Sequence, residues 1–256
     1  MIKELKIKIS VKTLEPIRIG TKKDPLSAAD NPVARVGGKL AIPGSTLKGA
    51  LRAELERFLI DTYFQNGNWK TRYEHFKPCI PGTELSTDEE NLVRSGKYRD
   101  QKGACRYPCN PRTCGGKHSI CPVCYLLGAM GLNGFLRVPF LYAETSTTEL
   151  YSARIDRATS TVATGTNRPY ELVPDGTIFS GVGTILLEDT VLNWKIAEPR
   201  KLVGDTLGDM WLKEGKLEVK NQEEFIHKFV FDRLKSIRII GGYKSKGFGA
   251  IEVSVS

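Results

Sequence analysis

Between Gln65 and Ile120 the chain loses the apolar periodicity that a hydrophobic core requires, and glycine, proline, cysteine and charge take its place. So long a stretch is improbable as a structureless loop inside a compact domain, so something other than buried side chains must organise part of it. The core must then come from the two flanks. In the first, Leu5, Ile7, Ile9 and Val11 recur at period two, the pattern of a half-buried antiparallel strand. At the far end, Phe248 to Val255 alternates in the same way. Strands at both ends fit one sheet shared by the two flanks. The expected fold class is therefore α+β: one elaborated domain over residues 1–256 with an antiparallel sheet, into which residues 65–128 are inserted.

The remaining elements follow from local pattern. Ala34 to Ile42, with Gly37 and Gly38 in its middle, predicts a short hairpin that leads into a turn at Pro43 and Gly44. Leu47, Leu51, Leu55, Phe58 and Leu59 then form an apolar stripe at helical spacing, which is the core face of a helix. A short helix is expected through Cys124–Gly128, and strands at 135–143, 151–155 and 177–187, with a further helix at 222–236. Between Arg157 and Tyr170 the chain is rich in Thr, Ser, Gly and Arg and contains no carboxylate; a turn signal follows at Pro174, Asp175 and Gly176. This segment is expected to project from the fold.

Charge narrows the partners. Lys and Arg number 38 against 29 Asp and Glu, a formal net charge of +9, which favours a polyanion such as nucleic acid over an acidic or apolar partner. The N-terminal residues alternate charged and apolar side chains and cannot serve as the apolar segment of a signal peptide. No apolar run is long enough to span a bilayer, so a soluble, cytoplasmic protein without a membrane partner is expected.

Five of the six cysteines fall between Cys105 and Cys124, a density that in a reducing compartment argues for metal over disulfides. Cys105, Cys109, Cys114, His118, Cys121 and Cys124 offer six ligands, and the Cys121-Pro-Val-Cys124 pair has zinc-knuckle spacing. Four ligands close a tetrahedron, leave no position for substrate and make the site structural. Cys109, Cys114, Cys121 and Cys124 are the expected zinc ligands, with Cys105 and His118 as alternates, because spacing does not decide which two stay unbound.

Two glycine-containing bends carry cations. In Ile42-Pro-Gly-Ser-Thr-Leu-Lys-Gly-Ala-Leu-Arg52, Ser45 is the expected N-cap, and Lys48 lies where the helix dipole disfavours a cation unless an anion is bound. Ser45, Lys48 and Arg52 could together hold a phosphate at the helix start, or form an ordinary solvated first turn. Gly241-Gly-Tyr-Lys-Ser-Lys-Gly-Phe-Gly249 offers backbone approach to an anion, charge from Lys244 and Lys246, and a stacking ring in Tyr243 or Phe248. Arg154, Arg157 and Arg168 read as further phosphate contacts. The three histidines, His75, His118 and His227, are scattered and suggest no acid–base pair.

Taken in order, the Pro-Gly-Ser helix start, Arg154-Ile-Asp-Arg157 and the late glycine-rich loop resemble the RAMP superfamily of CRISPR proteins. Asp30-Asn-Pro-Val-Ala-Arg35, Cys121-Pro-Val-Cys-Tyr-Leu-Leu-Gly128 and Glu171-Leu-Val-Pro-Asp-Gly-Thr-Ile-Phe179 are similar to its repeated backbone subunit in type III effector complexes. The resemblance implies a modified RRM-like (ferredoxin-like) fold, several copies of which stack along a CRISPR guide RNA beside other type III subunits. It implies a thumb hairpin, matched here by residues 156–172, that displaces nucleotides of the guide–target duplex. It also implies metal-dependent cleavage of complementary target RNA, with Mg²⁺ or another divalent ion, by the aspartate matched by Asp30. On its residues alone, Asp30 reads first as the cap of an Asp-Asn-Pro turn, and only the resemblance favours catalysis; Asp24 is a nearby competitor. The insertion is longer and richer in cysteine than in the simplest members, which leaves a non-catalytic guide scaffold as the alternative. A RAMP endonuclease that processes precursor guide RNA is disfavoured by the scattered histidines.

Overall fold

The computed structural model describes residues 1–21, 32–65, 68–69, 71–79, 104–107, 120–166, 168–202, 209–214 and 219–256. The chain forms two compact units. One comprises Lys8–Ala50, Val138–Val182 and Lys235–Ser256, and the other Met1–Ile7, Leu51–Arg137 and Gly183–Leu234.

The unit that contains both glycine-containing bends is built on an antiparallel sheet. Strand β1 (Ile2–Thr13) pairs with β12 (Ile251–Val255) in the register Val11 to Val253 and Thr13 to Ile251. Ile9 and Val11 are buried while Lys8 and Lys12 are exposed, so the period-two pattern of the sequence is the alternation of the two sheet faces. Strands β2 (Arg35–Val36) and β3 (Lys39–Ile42) make a hairpin with a two-residue turn. Both turn residues, Gly37 and Gly38, have positive φ, which a type I′ turn demands. Strand β7 (Leu141–Ala143) pairs with β3, and Tyr142 lies opposite Ser180 of β10 (Ile178–Asp189), giving the order β12-β1-β10-β7-β3-β2. Strands β8 (Thr148–Ser152) and β9 (Arg168–Leu172) form a hairpin apart from this sheet, with Leu150 opposite Tyr170.

Helix α1 (Gly44–Tyr63) starts two residues earlier than an N-cap at Ser45 predicts. The carbonyl of Pro43 accepts from Thr46 and Leu47, so Pro43 closes the first turn and Ser45 lies inside the helix. The reason is steric. A Cβ on Gly44 would come within 2.8 Å of the Val138 carbonyl, so only glycine lets the chain turn into the helix at this point.

The other unit packs Leu51, Leu55 and Leu59 of α1 in an apolar core together with Phe76, Trp211, Phe225 and Phe229. Helix α2 (Pro122–Leu127) is buried on every side, and Tyr125 at its centre stands edge-on to Trp211 in α3 (Met210–Glu214). Strands β4 (Phe64–Gln65) and β5 (Asn68–Trp69) form a small antiparallel hairpin after α1; β6 (Leu136–Arg137) pairs with β10 at Ile185, and β11 (Trp194–Lys195) pairs with its end. The single strand expected over 135–143 is two strands, β6 and β7, with Pro139 in the gap, where a missing amide interrupts the ladder.

Helix α4 (Gln222–Ile226) opens with reciprocal caps: Asn221 accepts from the amide of Glu224, and Glu224 accepts from that of Lys220. It continues through a π-helical turn, His227–Phe231, into α5 (Asp232–Lys235), so the expected helix at 222–236 is continuous but locally widened. Arg200 and Asp209 are both fully buried and paired at 2.8 Å. The Arg200 guanidinium also donates to the Asn133 carbonyl and lies 4.8 Å from the Tyr125 ring centre. Among the described residues no helix is long and apolar enough to cross a membrane.

Candidate metal centre and nucleic-acid interface

Four cysteines converge in the unit that contains α2. Cys121 is the N-cap of α2, Cys124 lies in its first turn, and Cys79 and Cys105 approach from earlier segments. All four sulfurs lie within 4.8 Å of one another, and Cys79, Cys121 and Cys124 are buried. The Cys79 and Cys124 sulfurs are 3.4 Å apart, far beyond a disulfide, and none of the four cysteines is disulfide-bonded. Zinc–sulfur bonds of about 2.3 Å at the tetrahedral angle place sulfurs roughly 3.8 Å apart, so the donor set fits a tetrahedral zinc site with four thiolate ligands. The Cys121 amide donates to the Cys105 sulfur at 3.5 Å, which would spread the charge of a bound thiolate onto the backbone.

Without a cation such a cluster is electrostatically awkward. Hydrogen bonds from Cys105, Cys121 and Cys124 hold the Cys79 thiol far below its ordinary value, whereas Cys121 is pushed well above it, first by its contact with Cys105. The four thiols cannot all ionise until positive charge arrives. Some positive charge is already present. Arg52 of α1 reaches the Cys124 sulfur at 3.4 Å and the Cys79 sulfur at 4.0 Å, with Glu56 at 3.4 Å on its other side. Burial opposes the charge on Arg52, but Cys124, Cys79 and Cys121 together outweigh it and raise the guanidinium above its ordinary value.

In the other unit a cluster of cations and rings gathers around the glycine-rich loop. Tyr243 adopts a left-handed backbone conformation, and Lys244–Lys246 follow as one 3₁₀ turn. The Arg18 guanidinium lies 4.9 Å from the Tyr243 ring centre and 5.9 Å from that of Tyr170 in β9. The Lys246 ammonium is also 4.9 Å from the Tyr243 ring, and the two tyrosines meet at 5.3 Å. Arg18 Nε is buried with no hydrogen-bond partner among the described residues. Gly242 donates to the Arg18 carbonyl, and a Cβ on Gly241 would lie 2.5 Å from that oxygen, so glycine is what lets the loop close on Arg18. Two cations held against one ring, without a carboxylate bonded to either among the described residues, make a site suited to a phosphate and a base.

A sequence model of the RAMP superfamily matches residues 10–252. The chain belongs to the RAMP superfamily. No curated protein sequence matches it. By structure, this RAMP chain is similar to a chain in the cryo-EM structure of the Type III-B Cmr-beta bound to cognate target RNA, with a TM-score of 0.50 and 10% identity over 99% of this chain. It spans 60% of that chain's length. It is also similar to a chain of a Type IV-B CRISPR complex, with a TM-score of 0.48 and 13% identity over 98% of this chain and 90% of that one. At such identities the likeness concerns the fold.

Of the residues singled out from the RAMP sequence, Lys48, Lys244 and Lys246 are exposed, as are Ser45, Arg154 and Arg157. Arg154 and Arg157 lie between β8 and β9, in a tip where Asp156 accepts from the amides of Ala158 and Thr159, and Arg168 starts β9 opposite Ser152. Arg52 is instead half-buried and turned toward sulfur. Of the four expected zinc ligands, Cys121 and Cys124 are in the cluster; Cys109, Cys114 and the alternate His118 lie outside the described residues, as do Asp30 and Asp24. The sequence reading missed Cys79, because it is isolated from the other five cysteines. It also missed Arg18 and Tyr170, which form no motif in the sequence and meet Tyr243 only through the fold.

Proposed function

We propose that this RAMP chain is a backbone subunit of a type III CRISPR ribonucleoprotein, gripping guide RNA and cutting complementary target RNA. The observation that carries this reading is the constellation of Arg18, Tyr170, Tyr243 and Lys246, which offers charge and ring faces beside a loop whose glycines admit a sugar-phosphate chain. Membership of the superfamily and a fold likeness to a chain in a complex that holds target RNA support it. On this reading the fold is a modified RRM-like one. Ser45 and Lys48 at the start of α1 and Lys244 and Lys246 in the late loop hold the guide, with copies of the chain and other type III subunits alongside. The β8–β9 hairpin serves as the thumb, presenting Arg154, Arg157 and Arg168 to the duplex. Zinc held by Cys79, Cys105, Cys121 and Cys124 ties down the insertion.

Asp30 carries the cleavage. A carboxylate beside a displaced nucleotide can accept the proton of the 2′-hydroxyl as that oxygen attacks the adjacent phosphate; the bond from phosphorus to the next nucleotide's 5′-oxygen breaks, leaving a 2′,3′-cyclic phosphate and a 5′-hydroxyl that takes its proton from water, and unstacking frees the strand for this in-line attack. A divalent ion would offset the charge that develops on the phosphate. The test is the assembled ribonucleoprotein with Asp30→Ala. Guide binding and assembly should survive while target cleavage disappears. Unchanged cleavage rejects Asp30, and no divalent-dependent cleavage by the unsubstituted complex favours a scaffold.

A further inference from the structure

We propose that Arg52 is a charge-balancing partner of the metal centre and takes no part in holding RNA, an inference that rests on zinc occupying the four-cysteine cluster. Four thiolates around Zn²⁺ carry a net charge of −2, and three of the four sulfurs belong to buried residues. A buried dianion is costly unless donors and an opposite charge accompany it. Arg52 supplies both. Its Nη2 addresses Cys124 at 3.4 Å and its Nη1 addresses Cys79 at 4.0 Å, so one planar fork spans two ligands from different segments of the chain. Glu56, one helical turn on, takes the remaining side of Nη1 at 3.4 Å and fixes the direction of the fork.

The placement explains why a cation sits on the inner border of α1. Leu51 before it and Leu55 three residues on are completely buried, and an arginine there is tolerated because sulfur and Glu56 receive its donors. A lysine would bring equal charge but only a point donor, unable to span both sulfurs. Arg52 is therefore a positioning residue for the zinc ligands. By donating to both sulfurs it holds Cys79 and Cys124 in place toward the metal.

The experiment compares the full chain with Arg52→Met and Arg52→Lys, each purified with zinc under reducing conditions. Zinc content, the rate of zinc transfer to a chromogenic chelator, and the salt dependence of guide-RNA affinity are measured. About one zinc per chain is expected in the unsubstituted protein. Release should be about 10- to 100-fold faster in Arg52→Met and intermediate in Arg52→Lys, as for other partners of metal ligands. The slope of log affinity against log salt should be the same in all three when zinc is saturating. If the unsubstituted chain holds no zinc, the metal reading fails and this inference with it. If it holds zinc and both variants release it at the same rate, the role of Arg52 alone is overturned. A slope reduced by about one in either variant, with zinc retained, would make Arg52 a phosphate contact and overturn it too. Should Arg52→Met not fold, Arg52→Lys decides by the same readouts.

Discussion

The Glu171 carboxylate accepts the backbone amide of Val33 at 2.8 Å, across 138 residues of sequence. The same carboxylate accepts from Arg35 at 2.7 Å and from Thr147 at 2.8 Å. Partial burial alone would raise its pKa, but these three donors outweigh burial and lower it. Since the folded protein binds this proton more weakly than the unfolded chain, the contribution is complete above the ordinary value of 4.5 and is lost as pH falls through the lower folded value. Glu171→Gln should cost about 1–2 kcal/mol at neutral pH, with a deficit that narrows in acid. Urea unfolding across that range checks it, and a deficit constant with pH would contradict the carboxylate's role.

The buried pair of Arg200 and Asp209 makes the opposite kind of contribution. Its formation gains little over well-packed apolar residues, but removing one partner strands a charge. Asp209→Asn should destabilise by about 3–5 kcal/mol, and Arg200→Met combined with Asp209→Leu by clearly less than the single substitution. Denaturation midpoints of the three proteins provide the comparison.

Chelation should affect the chain through the cysteine cluster. Metal-free protein is expected to melt at lower temperature, and Cys79→Ser should lose zinc as Cys121→Ser does, although Cys79 lies far from the other ligands in sequence. Acid should also release the ion, because the thiolates must take up protons to let it go. Zinc quantification alongside thermal melting reads both effects; a Cys79→Ser protein with full zinc would remove Cys79 from the ligand set.

At the glycine-rich loop, charge and backbone can be separated. Lys244→Ala and Lys246→Ala should each lower the salt slope of guide-RNA binding by about one. Gly241→Ala leaves charge intact, but its φ of +85° and the 2.5 Å approach to the Arg18 carbonyl require the loop to shift. Its affinity should fall at every salt concentration with the slope unchanged. Filter binding over a salt series distinguishes the two patterns.

Much of the fold was legible because strand periodicity survives where one face is buried. Ile7, Ile9 and Val11 announce β1, and the paired glycines 37 and 38 announce the turn after β2. The start of α1 differs by two residues from the one expected, since Ser45 has the right chemistry for a cap but Gly44 has the shape demanded by the carbonyls of Val138 and Pro139. The cysteine content was legible and the full ligand set was not: knuckle spacing identifies Cys121 with Cys124, whereas Cys79 reaches them by a tertiary approach that no local pattern encodes. The direction of Arg52 was hidden for the same reason. Its helical position allows either face of the border, and only the sulfurs decide between them.

The ion pair between Arg200 and Asp209 is also shielded from water. Salt screens exposed charges far more than buried ones, so ionic strength high enough to strip RNA from the exposed Lys244 and Lys246 should leave this pair intact. Washing nucleic acid from the purified chain with concentrated salt is accordingly compatible with keeping it folded.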